Sequence, residues 1–352
     1  MARAKTISGI DCDADAVSAI SRVLIARLNE MCSLRGRALD STDFEGVHDM
    51  RVSSRRLRGA LSDFAPYLSK RDLSAAFKQI TRIADALGQV RDQDVAIAGL
   101  EKLAAQAPEE AATSLKDFIK ARVSIRNQAR RELQKLLRQS ELKQLHTDFK
   151  EDLDAAIKKS QLRTARSKEK EIGPITYHSM ARSIVTGRLK DLEKLSDGFY
   201  HPLKAKPLHK LRIAAKHLRY ALELFEQCFG PGTAVFAKKI AALQTSLGEL
   251  HDSDIWIEAF GEQLKIATRE VKKSRVAGSL WLLSHFVKLH SKHLRGALGR
   301  WEEWEVSDSS NQLRMLINRS MSSPTAQSAE NPAPAKTEES KTLQPSQDRL
   351  TM

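Results

Sequence analysis

Apolar and small residues recur at alternating three- and four-residue steps through Val47, Met50, Ser54, Leu57, Leu61 and Phe64. The same rhythm returns through Leu208, Leu211, Ala215, Leu218, Leu222 and Phe225. This is the seam of a helix packed in a bundle. Extending the pattern along the chain predicts five helical segments in each half. They run over 13–38, 43–65, 70–88, 92–105 and 109–157, then over 176–197, 203–228, 232–248, 252–272 and 275–305. Thr42-Asp43-Phe44-Glu45 reads as a capping box, and Pro207 suits a first helical turn. Gly88 and Gly248 read as helix ends, with Asp92 and Asp252 as caps of the helices that follow. The fold class predicted is all-α, built as two tandem bundle repeats.

The repeat is visible in the residues themselves. His48, Arg51, Arg55 and Arg58 return 161 positions later as His209, Arg212, Lys216 and Arg219. Arg27 returns as Arg188 at the same offset, and Phe64 as Phe225. After a one-residue slip, Leu87-Gly88, Asp92 and Asp94 match Leu247-Gly248, Asp252 and Asp254. A fixed long period marks two copies of one helical unit. Spacing of i, i+3, i+7 and i+10 places each basic set on one stripe, about 100° around the helix from the seam and about 15 Å long. Val52 and Gly59, and Ile213 and Tyr220, border the stripes, so each reads as the wall of a groove. Each like-charge neighbour pair costs about 0.2–0.5 kcal/mol in water. Something anionic must compensate: the recurring carboxylates Asp92, Asp94, Asp252 and Asp254, or an external polyanion.

Net charge is +14 with a pI near 9.7, which points to a polyanionic partner without choosing one. Aromatics at 5 % weaken a base-stacking reading. Cys12, Cys32 and Cys228 show neither zinc spacing nor a disulfide framework, so a reducing, cytoplasmic setting is expected. The amino terminus lacks an apolar signal core, and the window 276–289 is too short to span a bilayer, so no membrane partner is expected. Residues 158–173 read as a linker, 1–12 as an extension, and 306–352 as a largely disordered tail, with apolar content almost absent from 322 onward.

Other chemistry is thin. Paired aspartates can hold Mg²⁺, but no third acid sits at metal spacing, which favours capping and arginine pairing. His285, His290 and His293 lack cysteine or carboxylate partners at zinc spacing, and Trp281, Trp301 and Trp304 read as core. No metal or other cofactor is expected. No P-loop, dinucleotide fingerprint or nucleophile elbow occurs. His48 or His209 as phosphoryl acceptors, and nonspecific nucleic-acid binding, stay open as alternatives.

His48–Arg58 reads His-x-x-Arg-Val-x-x-Arg-Arg-Leu-Arg, and it is followed by Leu-Gly-x-x-Arg-Asp-x-Asp-Val at 87–95. Together these resemble the first half of a CHAD domain, the conserved histidine α-helical domain. Residues 208–220 and 247–255 resemble its second half. The resemblance spans 13–305 and implies two bundles about a pseudo-two-fold axis, with basic helices lining a central groove or pore. It implies binding of inorganic polyphosphate without turnover, and association with polyphosphate granules as in some members. Carried over by position, the contacts are His48, Arg51, Arg55, Arg58, His209, Arg212, Lys216 and Arg219, supported by Arg27 and Arg188. Lys78, Arg82, Lys239, Arg126 and Arg130 are secondary candidates. Arg91 and Arg56 become His251 and His217 in the second copy, which makes charge there pH-dependent. There is no room before the repeat for the CYTH triphosphatase domain that precedes many CHAD domains, and no Glu-x-Glu-x-Lys motif, so no hydrolytic activity is expected.

Overall fold

The two halves begin by pairing with each other. Asp15 caps helix α1 (Ala16–Ser33) by accepting from the Ser18 amide at 3.0 Å, and Thr176 caps α7 (Tyr177–Leu195) through the Ser179 amide at 3.1 Å. Asp15 and Thr176 are equivalent positions of the repeat, and they form an antiparallel bridge. The Ala16 amide donates to Ile175 O and the Tyr177 amide to Ala14 O, both at 3.0 Å. Each bond is the image of the other under the 161-residue offset. Phe64 and Phe225, also equivalent, meet edge to face at 6.1 Å. The duplication therefore folds around shared contacts between like positions.

The computed structural model describes residues 7–68, 72–166, 175–202, 204–269 and 273–319. Between α1 and α7 the chain forms α2 (Arg35–Leu39), α3 (Gly46–Phe64), α4 (Ser74–Ala104), α5 (Glu109–Leu136) and α6 (Gln139–Arg166). After α7 come a 3-10 turn (Ser196–Tyr200), α8 (Ala205–Leu224), α9 (Glu226–Phe229), α10 (Thr233–Arg269), α11 (Lys273–Val306) and α12 (Ser309–Asn318). The helices α1, α3, α4, α5 and α6 correspond to α7, α8, α10, α11 and α12. The predicted seams are buried: Val47, Met50, Leu57 and Phe64 on α3, and Leu211, Ala215, Leu218 and Phe225 in the second copy. Each large side chain so placed contributes about 1.5–3 kcal/mol.

Far from that core the ends of α4 and α5 meet those of α10 and α11 in a separate apolar cluster. Phe118 packs on Phe260 at 4.9 Å, and the Arg122 guanidinium lies 5.0 Å from the Trp256 ring centre. The halves thus meet through α1 and α7 and through α3 and α8 near the core, and through α5 and α11 at the tips.

Several expectations are corrected. Gly88 and Gly248 do not end helices, and Asp92 and Asp252 cap nothing; α4 and α10 run through them unbroken. The segment 109–157 divides at Arg138, and α6 continues to Arg166 through the first part of the expected linker. Asp43 rather than Thr42 accepts from the Glu45 and Gly46 amides ahead of α3. The tail is ordered at its start: Leu313 and Ile317 of α12 are fully buried, and Arg314 pairs with Glu193 of α7 at 2.7 Å. The expected disorder of 322–352 lies outside the described residues. Cys12 and Cys228 form a disulfide with Cα atoms 5.5 Å apart, against the reading that the cysteines carry no such link. Trp304 is buried against Phe236, and Trp301 stacks on Phe199. Among the described residues no helix is long and apolar enough to cross a membrane.

Candidate functional site

The seam of α3 faces its own half, which turns the adjacent stripe toward α8, and α8 does the same in return. The two cationic rows therefore meet. Arg55 stands among Arg51, Arg212 and Arg219; burial first, then repulsion from these neighbours, holds its guanidinium below its ordinary pKa. Lys216 stands among Arg55, Arg212, Arg58 and Arg51, and the same two causes bring its ammonium down from 10.5 to about 8. His217, beside Lys216 and Arg188, is lowered to about 4, chiefly by burial. His209 is lowered by burial and by His251, whose ring centre lies 4.4 Å away. His48 is lowered by burial and by Arg91.

The protein's own acids neutralise only part of this field. Arg51 reaches Asp92 at 3.3 Å and Arg58 reaches Asp85 at 3.4 Å, but both carboxylates are about two-thirds exposed, so screening weakens the pairs. Arg219 pairs with Glu223 at 3.2 Å in a buried setting and stacks on Tyr220. Arg55, Arg212 and Lys216 form no ion pair within 4.0 Å among the described residues. Asp252 comes nearest in effect: burial raises its pKa while Arg212 lowers it.

The glycines misread as helix ends lie beneath arginines of the rows. A Cβ on Gly88 would lie 3.5 Å from Arg51 Nε, and one on Gly248 would lie 3.4 Å from Arg212 Nε. Each guanidinium is laid across the bare backbone of the neighbouring helix, at equivalent positions in the two copies. Gly59 likewise leaves room for the Tyr220 ring, 3.5 Å from where its Cβ would sit.

Two clefts result, one from each copy. The first has a volume of ≈ 690 Å³ and is lined by Arg51, Arg55, Arg58, Phe77, Arg212 and Lys216, among others. The second, of ≈ 860 Å³, takes in His48, Arg55, Arg219 and Tyr220. Arg55 belongs to both.

The remaining candidates separate. Arg27 is buried, pairs with Glu30 at 2.7 Å and borders the second cleft. Arg188 grips buried Asp63 at 2.6 Å and so ties α7 to α3. Lys78 and Arg82 are exposed on α4 and line neither cleft. Lys239 donates to Ser307 Oγ and Ser309 Oγ at 2.9 and 3.0 Å, anchoring the start of α12 away from both clefts. Arg126 pairs with Asp94 at 3.7 Å, and Arg130 acts on the same carboxyl. Asp254 takes the equivalent place against His290 at 3.1 Å. The second aspartate of each Asp-x-Asp thus holds the outer helix, while the first faces the cations. His293 pairs with Glu249 and His285 stacks on Trp281.

Sequence reasoning passed over Glu223, Asp85, Phe77 and the His209–His251 contact. Only Glu223 carried a signal, its i+4 spacing from Arg219. One group of possible metal ligands, Glu45, His48 and Asp49, clusters at the start of α3. Both its acids already face arginines: Asp49 bonds Arg37 at 2.7 Å and Glu45 lies 3.7 Å from Arg91.

The profile of the CHAD domain matches residues 22–261. An uncharacterized protein, Rv2226, of Mycobacterium tuberculosis H37Rv is 28 % identical over 229 residues, covering 64 % of this chain and 41 % of that protein. Its counterpart MT2285 in strain CDC 1551 is 27 % identical over the same span. The chain thus spans less than half the length of the curated relatives it matches. Among solved structures, the CHAD domain of the plant Ricinus communis superposes with a TM-score of 0.63 at 21 % identity, over 85 % of this chain and 95 % of that one. PptA from Streptomyces chartreusis gives 0.58 at 14 % identity, over 82 % and 100 %. Both likenesses are of fold.

Proposed function

This chain belongs to the CHAD domain family, and from that premise we propose that it binds inorganic polyphosphate between α3 and α8 without turning it over. The observation that carries the reading is the cluster of Arg55, Arg212 and Lys216, drawn together from both copies with no acid paired to them among the described residues. Like charges held in partial burial raise the free energy of the folded protein. An anion threaded along the rows relieves that repulsion, so the binding energy is stored in the fold before the ligand arrives.

Inorganic polyphosphate suits the arrangement on three grounds. Its charges are closely and evenly spaced, matching cations that repeat along a helix. Its non-bridging oxygens accept forked guanidinium donors. It needs no base readout, and the aromatic content is low. Counterion release makes the affinity fall steeply with salt. Association with polyphosphate granules follows from the same contacts, and no residue is assigned a catalytic step.

Competition tests the reading. Labelled long-chain polyphosphate bound to the protein resists displacement by duplex DNA at equal phosphate concentration. Displacement by DNA at parity would transfer the site to nucleic acid. Acid-labile phosphate on His48 or His209 after incubation with phosphodonors would replace binding by phosphotransfer.

A further inference from the structure

The two clefts are equivalent in origin but not in lining. Position 77 of the first copy is Phe77, which borders its cleft; the equivalent position in the second is Ala237. Asp63 becomes Leu224, and Ala84 becomes Gln244. The exchange of a ring for a methyl opens the second cleft, and Leu224 makes its depth apolar. The amino-terminal segment completes the wall. Ile7 and Ile10 border the cavity, held there by the Cys12–Cys228 disulfide and by Gln227 Nε2 donating to Ile7 O at 3.0 Å. Leu222, Leu224, Pro231 and Ala237 supply the rest of the apolar side.

At the other side stand Arg55, His48 and the buried guanidinium of Arg219, the last held by Glu223 at 3.2 Å, with Glu226 also on the lining. The hydroxyl of Tyr177, a residue 1 % exposed, and Gln244 Oε1 border the cavity, are buried and lack a hydrogen-bond partner among the described residues. A buried hydroxyl or amide oxygen is ordinarily satisfied, and leaving one unmade is costly. At ≈ 860 Å³ the space exceeds any packing defect and falls in the range of small-molecule sites. Polyphosphate has no apolar surface to place against Ile7, Ile10, Leu222 and Leu224, so the polyphosphate reading leaves this wall without a use.

We propose that the second-copy cavity binds a small amphipathic organic phosphate, its phosphate on Arg55, His48 and Arg219 and its apolar body against the wall of Ile7, Ile10, Leu224 and Ala237. Tyr177 and Gln244 offer further polar contacts along the ligand. The site shares His48, Arg55 and Arg219 with the polyphosphate rows, so the two ligands compete, but it does not depend on polyphosphate being the natural occupant of the other cleft.

Hexyl phosphate, kept below its micellar concentration, is the probe, titrated calorimetrically into the full chain. Each methylene buried on an apolar wall gains about fourfold in affinity. Hexyl phosphate therefore binds at least tenfold more tightly than inorganic phosphate, and more tightly than hexanoate or hexanol. Ala237→Phe, which copies the first half, lowers hexyl phosphate affinity at least tenfold while leaving long-chain polyphosphate affinity within twofold. Ala237→Leu serves the same purpose should the phenylalanine variant lose its helical circular dichroism. Equal binding of hexyl and inorganic phosphate, or unchanged binding in a folded Ala237 variant, overturns the cavity assignment. Hexanoate binding as tightly as hexyl phosphate overturns the phosphate head group. Loss of polyphosphate binding alone bears on the proposed function and not on this site.

Discussion

Lys216 gives the account a proton to count. Its ammonium falls from 10.5 to about 8 because it is buried among Arg55, Arg212, Arg58 and Arg51. That fall corresponds to on the order of 3 kcal/mol of lost hydration and repulsion carried by the charged form. In the free protein between pH 8 and 10.5 the unfolded chain binds more protons than the folded one, so this group's contribution to stability rises with pH across that window. A polyanion laid over Lys216 reverses the repulsion and returns the pKa toward its ordinary value. Binding at pH 9 then takes up about 0.9 proton at this site, and affinity falls about tenfold from pH 7 to pH 9. Below pH 7 Lys216 is charged in both states and adds no slope. Calorimetric titration with polyphosphate at pH 9, in two buffers of different ionisation enthalpy, reads the uptake directly. Lys216→Arg keeps the cation, removes the titration and flattens the profile. Uptake in the natural protein below about 0.3 proton, or equal uptake in the arginine variant, refutes the idea that the two rows press on one another.

Three other perturbations follow from the same geometry. Replacing Gly88 and Gly248 by Leu lifts Arg51 and Arg212 off the helices beneath them and weakens polyphosphate binding at least tenfold; replacing both by Ala adds about 0.8–1 kcal/mol of helix preference at each site and raises the melting temperature. Binding by the leucine pair equal to that of the natural protein contradicts the close-approach role. Replacing Arg55 and Lys216 together by Met weakens binding yet raises thermal stability, because like charges leave a half-buried site; a melting temperature lowered by several degrees says the cations are favourably held in the free protein. Truncation after Val306 removes buried Leu313 and Ile317, worth about 1.5–3 kcal/mol each, and lowers the urea midpoint, whereas an unchanged midpoint denies α12 a place in the core.

What could be read from the sequence was whatever helical periodicity encodes. The seams of α3 and α8 and the offset stripes beside them fix which side chains turn inward, and the 161-residue repeat tells that two such stripes exist. Termini were less legible. Gly88 followed by Asp92 has the residue types of a helix end, yet Leu87, Val90 and Ile97 keep α4 packed across it, and tertiary burial outweighs local preference. The place of those glycines beneath Arg51 and Arg212 shows only in three dimensions. Long-range pairs gave no local sign: Arg188 with Asp63 is 125 positions apart, and Cys12 with Cys228 is 216. The short run of Leu313 and Ile317 was hidden by the polar composition around it, although their i, i+4 spacing is that of a buried face.

The most direct trial of the convergent rows is a titration with polyphosphates of graded length at two salt concentrations, comparing the natural protein with Arg51, Arg55 and Arg212 changed together to Gln. The natural protein should bind more tightly as the polymer lengthens toward the roughly 15 Å of each stripe and lose affinity steeply with salt, while the folded variant should bind at least a hundredfold more weakly with a shallower salt slope. A helical variant that matches the natural protein in affinity and slope would place the polyanion somewhere other than between α3 and α8.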